Sequence, residues 1–146
     1  MSRHVLALVG VVLAVVAFVA APAAQERPLP GWVEITGVAV NGEGAPLTGK
    51  YIWYLPWNAA RGSVTLTYKA ARPINPGGYA DDTGRFKISV PPSFAAPGTR
   101  FTVGIDVIQF DGGDVATRAG APLILTIADP PASMDLGRVV IIRRKR

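Results

Sequence analysis

Tyr79-Ala80-Asp81-Asp82-Thr83-Gly84-Arg85-Phe86-Lys87-Ile88-Ser89-Val90-Pro91-Pro92 is the stretch that decides the fold. Asp-Asp-Thr-Gly is a tight turn, because short polar side chains bond their own backbone and Gly84 accepts a positive φ. Phe86, Ile88 and Val90 then alternate with Arg85, Lys87 and Ser89, a period of two with one apolar and one polar face. Pro91-Pro92 ends the strand, since neither residue can donate to a ladder. The rest of the chain has to supply further strands that cover that apolar face.

Upstream, residues 32–40 carry the β-formers Val33, Ile35, Val38 and Val40 as a first strand. Asn41-Gly42-Glu43-Gly44-Ala45-Pro46 is a dense turn signal, with Asn-Gly the strongest short hairpin cue. Residues 51–55 form a second strand, and 63–69 a third, alternating Val64, Leu66 and Tyr68 with Thr65 and Thr67. Residues 70–78, with Pro73, Pro76 and Gly77-Gly78, are a loop. Downstream, 101–110 is a long strand with Phe101, Val103, Ile105 and Val107 on one face, and Asp111-Gly112-Gly113-Asp114 turns it. Residues 123–127 and 136–142 are the last two strands. No segment after the N-terminal run has a sustained helical period. About seven short strands punctuated by turns predict an all-β chain, an antiparallel Greek-key-type β-sandwich.

The N-terminus lies outside that domain. Met1-Ser2-Arg3-His4 is polar and positive, Val5 to Ala21 is apolar, and Ala21-Pro22-Ala23 places small residues before Ala24. This three-part layout predicts a signal-peptide helix over residues 1–23, with cleavage before Ala24. The run is also long enough to serve as an uncleaved membrane anchor. Residues 24–31, with Pro28 and Pro30, are a linker; 32–142 are the sandwich; 143–146 are a basic tail. The expected location is exported, periplasmic or extracellular.

The exported chain of about 120 residues is long enough to bury a core. It has no Cys, and the single His, His4, falls in the signal segment. The commonest general base, the commonest metal ligand and the best thiol nucleophile are all missing, so the expectation is a non-catalytic protein without a cofactor. Net charge is +5 over the whole chain. Loss of Arg3 leaves fourteen basic against ten acidic residues, and four of the fourteen are Arg143-Arg144-Lys145-Arg146. The body is therefore neutral and the high pI describes a tail. That tail offers at most a weak membrane contact. With no aromatic residues interleaved, nucleic acid is not expected as a partner.

A set of motifs resembles the carboxypeptidase regulatory-like domains, small transthyretin-like sandwiches. Gly37, Asn41, Gly44, Pro46, Leu47, Gly49 and Ile52 follow their opening pattern. Asp81, Gly84, Arg85 and Phe86 follow their turn and strand, and Gly98, Phe101, Val103 and Ile105 the next strand. Ala39, Asn41 and Ala80 depart from the usual residues, and the connection from Trp53 to Gly78 is longer than usual. The resemblance implies a non-catalytic module acting as spacer, stabiliser or ligand-binding addition, normally fused to a larger protein. At this length it is expected to stand alone.

Other residues admit a chemical reading. Asp81-Asp82 and Asp111/Asp114 carry oxygens that suit calcium, but turn chemistry explains them as well and no spaced set of three carboxylates is present. Ser63, Ser89, Ser93 and Ser133 have no His partner, and Lys69 and Lys87 read as solvated charges. The resemblance places Ile52 on the inward face of the second strand. Alternation then puts Tyr54 inward and Tyr51, Trp53, Leu55 and Trp57 together on the other face. A stripe containing Tyr51, Trp53 and Trp57 is the candidate ligand-binding surface, unless residues 58–78 fold back and cover it with Val64, Leu66 and Tyr68. The expected partner is an envelope or secreted protein, with a glycan as the alternative.

Overall fold

The computed structural model describes residues 29–106 and 114–142. The expected signal segment and basic tail, most of the linker, Val107 to Phe110 and the Asp111–Gly113 turn lie outside these residues. Twelve strands follow one another: β1 (Val33–Val40), β2 (Tyr51–Asn58), β3 (Ser63–Val64), β4 (Tyr68–Lys69), β5 (Arg72–Pro73), β6 (Gly77–Tyr79), β7 (Arg85–Val90), β8 (Arg100–Ile105), β9 (Asp114–Arg118), β10 (Ala121–Pro122), β11 (Leu125–Thr126) and β12 (Met134–Ile141). The described residues contain no helix.

Ten of these strands form one curled sheet whose main path runs β3-β2-β8-β9-β12-β1-β7. The sheet folds over into two layers. One holds β7, β1 and β12; the other holds β6, β2, β8 and β11. Strand β9 stitches them, pairing with β12 through Val140↔Thr117 and Ile141↔Ala116 and with β8 through Gly104↔Val115 and Ile105↔Asp114. On the opposite side β6 pairs with β2 and approaches β7 so closely that a Cβ at Gly78 would collide with the Lys87 carbonyl oxygen.

The apolar faces read from the alternation meet between the layers. Phe86, Ile88, Phe101, Val103 and Ile105 are all buried, as are Ile52 and Tyr54, and they join Val33, Ile35 and Ile141 in one core. Tyr54 stacks on Phe101 with ring centroids 4.9 Å apart, and its hydroxyl donates to the Phe94 carbonyl at 2.7 Å. Burial pushes that hydroxyl's pKa up to about 12.

Two turns are built alike. Asn41 Oδ1 accepts from the backbone N–H of Glu43 and Ala45; Asp81 Oδ1 accepts from those of Thr83 and Arg85. In each, the fourth residue is a glycine in the left-handed region, Gly44 at φ 85° and Gly84 at φ 83°. An added Cβ at Gly84 would also press on the Ala39 carbonyl oxygen, so this turn packs against the end of β1.

Several expectations need correction. The sheet is not wholly antiparallel, because β12 runs parallel to β1. Their register slips between Thr36 and Val38, where Gly137 at φ 62° accommodates an extra residue. Residues 63–69 are not one strand: they break into β3 and β4. Residues 70–78 are not a plain loop but contain β5 and β6, and residues 123–127 contribute only the two-residue β11. Asp114 opens β9, a strand absent from the sequence reading.

Candidate functional site

Strand β2 positions the aromatic stripe. Its inner partners Ile52 and Tyr54 are locked in the core, so the pleat turns Tyr51, Trp53, Leu55 and Trp57 the other way. Tyr51, Trp53 and Trp57 are half-buried, whereas Leu55 is fully buried. Leu55 sinks because β8 carries Gly104, where an added Cβ would lie 3.1 Å from Leu55 Cδ1. Trp53 stands directly opposite the same glycine.

Two short pieces of the connection after β2, Ser63–Val64 and Gly77–Tyr79, pair with β2 edge to edge. The chain turns at Ala59–Gly62, and β3 sets Val64 opposite Trp57. It leaves the sheet as the separate hairpin β4–β5, then returns as β6, with Gly77 opposite Trp53 and Tyr79 opposite Tyr51. Tyr68, a residue that could have covered the stripe, is 54% exposed.

Asn75 fastens the insertion. It is 4% exposed, and its Nδ2 donates to the carbonyls of Tyr54 at 3.2 Å and Thr65 at 3.1 Å. Its Oδ1 accepts from the Thr67 N–H at 2.7 Å. On either side, the Tyr54 N–H donates to the Pro76 carbonyl and the Thr65 N–H to the Pro56 carbonyl. The backbone groups where the hairpin leaves the sheet are thus satisfied.

Tyr51 is the hub of the stripe. Its ring lies over Gly77, where a side chain would collide with it. It meets Trp53 edge-on at 4.7 Å and Tyr79 edge-on at 4.8 Å between centroids. Burial, and then the neighbouring Tyr79, raise the pKa of the Tyr51 hydroxyl. Tyr79 is 73% exposed and extends the cluster to the surface. It lies outside the stripe that alternation along β2 predicts. The only available signal was Gly77-Gly78, read as a loop although the pair belongs to a strand that lets large neighbours close in.

Beyond Tyr79 lies an open groove of about 560 Å³ lined by Thr36, Val38, Arg85, Asp135 and Arg138 among others. Arg138 is held by donation from its Nη2 to the Gly44 carbonyl at 2.9 Å. Lys87 pairs with Glu34 at 3.1 Å. Groove and aromatics together offer apolar and stacking contact, with fixed cationic donors at one side.

The other candidates resolve into local structure. Asp81 Oδ1 also accepts from the Thr83 hydroxyl at 2.7 Å, and these bonds, Thr83's first, hold the carboxyl below its usual range. Ser133 Oγ accepts from the Glu34 N–H. Among the described residues no three His, Cys, Asp or Glu come together as a metal site.

No protein-family model matches the chain, and no curated protein does. Among solved structures, BcpA, the major pilin subunit of Bacillus cereus, is similar over 77% of this chain and 30% of its own length, at 11% identity and a TM-score of 0.42. A 9R-lipoxygenase from Cyanothece PCC8801 is similar over 88% of this chain and 20% of its own, at 17% identity and a TM-score of 0.44. In both cases the chain spans less than a third of the protein it matches.

Proposed function

We propose that this protein is an exported, non-catalytic β-sandwich module with a structural or interaction role at the cell envelope, and that it holds a protein partner through Tyr51, Trp53, Trp57 and Tyr79. The observation that carries this reading is the half-exposed aromatic cluster seated on β2 and β6. Tyr and Trp are the side chains that most often carry interface energy, and here the core behind them and the β6 ladder beside them hold them in place. The N-terminal layout supports export. The lack of His and Cys after residue 23 supports a binding role rather than catalysis. The resemblance to carboxypeptidase regulatory-like domains points the same way, and the paired turns at Asn41 and Asp81 are where its motif residues lie.

A second reading, a small-ligand or carbohydrate-binding module, is favoured by the groove beside Tyr79. Its size is within the usual range for small-molecule sites. Trp53→Ala and Tyr79→Ala separate the readings. Capture of a partner from envelope extract should fall sharply in both, while the thermal midpoint barely moves. Retained capture, with glycan-array binding lost only in Tyr79→Ala, would favour the carbohydrate reading. If both variants unfold, the cluster is core and the interaction reading fails. Intact mass of this protein isolated from the envelope fraction should place its first residue at Ala24 or within a residue or two of it.

A further inference from the structure

The hairpin β4–β5 stands apart from the main sheet as its own two-stranded unit. Its six residues combine three features that each work against local stability. Lys69 and Arg72 face each other directly across the ladder, a like-charge pair. The turn between them is Ala70-Ala71, with φ of 49° and 61°, where Asn-Gly would be the unstrained choice. Tyr68 is 54% exposed and Ile74, just beyond the hairpin, 45%. Local conflicts of this kind concentrate where a surface serves a purpose other than stability.

The charge pattern of the chain points to that purpose. All ten Asp and Glu lie outside residues 44–80, while Lys50, Arg61, Lys69 and Arg72 lie within them. The tip itself presents two methyl groups, with two cations one step behind it and a Tyr and an Ile further back. A convex element of this kind does not grip a sugar chain, which needs a groove or a flat platform. It does suit a bilayer surface: the small apolar tip and the Tyr ring enter the headgroup region while Lys and Arg reach lipid phosphates.

We propose that the β4–β5 hairpin, Tyr68 to Pro73, docks this protein on an anionic lipid surface. The proposal concerns a surface separate from the aromatic stripe and does not depend on it. Contact with anionic lipid relieves the Lys69–Arg72 repulsion, and the Ala-Ala turn keeps a polar amide out of the lipid.

The test is sedimentation of the full chain with vesicles of equal parts phosphatidylglycerol and phosphatidylcholine, and with phosphatidylcholine alone. The ratio of the two partition coefficients removes any contribution of the apolar N-terminal stretch that does not depend on lipid charge. Lys69→Gln with Arg72→Gln should lower that ratio about 30-fold, the worth of two cations at an anionic surface, with an unchanged circular dichroism spectrum. The same Lys69/Arg72 exchange made in a variant with Arg143, Arg144, Lys145 and Arg146 all changed to Ser controls for the tail and should again lower the ratio about 30-fold. Changing Ala70→Asn and Ala71→Gly should raise the thermal midpoint yet weaken binding to the anionic vesicles. An unchanged ratio in the Lys69/Arg72 variant, or its complete loss in the tail variant alone, overturns the proposal. So does binding of the hairpin to soluble polygalacturonate with none to anionic vesicles, which would assign the surface to an acidic polysaccharide.

Discussion

Asn75→Ala is the perturbation that most directly probes the architecture. The side chain is buried and makes three hydrogen bonds, to the carbonyls of Tyr54 and Thr65 and from the N–H of Thr67. Each is worth about 0.5–1.5 kcal/mol net, and a buried partner left unsatisfied costs about 1–3 kcal/mol. Some of the released groups lie near the surface and regain water, so the expected loss is about 2–4 kcal/mol, a large part of the 5–15 kcal/mol available to a typical domain. Urea titration followed by tryptophan fluorescence measures it, with the midpoint shifting at constant slope. Asn75→Asp sharpens the test. The carboxylate still accepts from Thr67 but faces two carbonyl oxygens without a proton to donate. Burial then raises its folded-state pKa above the unfolded value of about 3.9, so the folded state binds more protons and stability falls as pH rises through that window. The Asp variant should therefore be less stable than the Ala variant at neutral pH and recover on acidification. A loss within the ~0.5 kcal/mol of an ordinary surface site in Asn75→Ala would refute the reasoning, as would an Asp variant indifferent to pH.

The core and the turn give two further predictions. Phe86→Ala should cost about 3–5 kcal/mol because the ring is buried under Gly37, whereas Lys87→Ala on the opposite face of β7 should lose no more than the ~1 kcal/mol of an exposed ion pair; chemical denaturation of both checks the facing of the strand. Asp81→Asn should keep its turn, since Asn41 already performs the same backbone chemistry in the twin turn. The hydrogen bonds to Asp81 lower its folded-state pKa, so its contribution is present above the unfolded pKa and is lost as pH falls through the folded one. Melting midpoints across the acid range should therefore decline less steeply in the Asn variant, and an identical acid slope would show that Asp81 does not supply that dependence.

Strand β7 and the core were legible because two signals coincide there: alternation at Phe86, Ile88 and Val90, and a turn whose residues name their own geometry. The inward facing of Ile52 came from the family resemblance, and alternation from that one residue then put Tyr54 inward and the stripe on the other face. Where the reading stopped, the deciding information lay on another strand or in an unusual residue. Leu55, opposite Thr102, leans toward the space that Gly104 leaves diagonally across on β8, where an added Cβ would lie 3.1 Å from its Cδ1. The β4–β5 turn was hidden because Ala70-Ala71 occupies a conformation that Asn-Gly normally announces. Gly77-Gly78 has the composition of a loop, yet it forms a strand because the Tyr51 ring and the β7 backbone need the space that side chains would fill. Nothing local to residues 33–40 or 134–141 encodes that these two strands run parallel.

The insertion also explains how one edge of the sheet carries two different surfaces. Trp57 faces Val64 and Trp53 faces Gly77, so four steps along β2 answer to thirteen along the returning chain. The nine surplus residues, Leu66 to Ile74, are the excursion that carries the hairpin. Strands β3 and β6 thus act as a single neighbour of β2 that has been interrupted. The interruption leaves only short segments of two and three residues beside β2, which discourages edge-to-edge aggregation. It also separates the roles: β6 brings Tyr79 to Tyr51, and the exposed Lys69 and Arg72 sit on a separate hairpin outside the main sheet. Both depend on Asn75, which closes the gap where the chain leaves and returns. Asn75→Ala should therefore weaken partner capture and lipid binding together, whereas Trp53→Ala and the Lys69/Arg72 exchange should each remove one and spare the other. That pattern distinguishes two surfaces on one rigid edge from a single diffuse sticky patch, in which any of these substitutions would erode both activities.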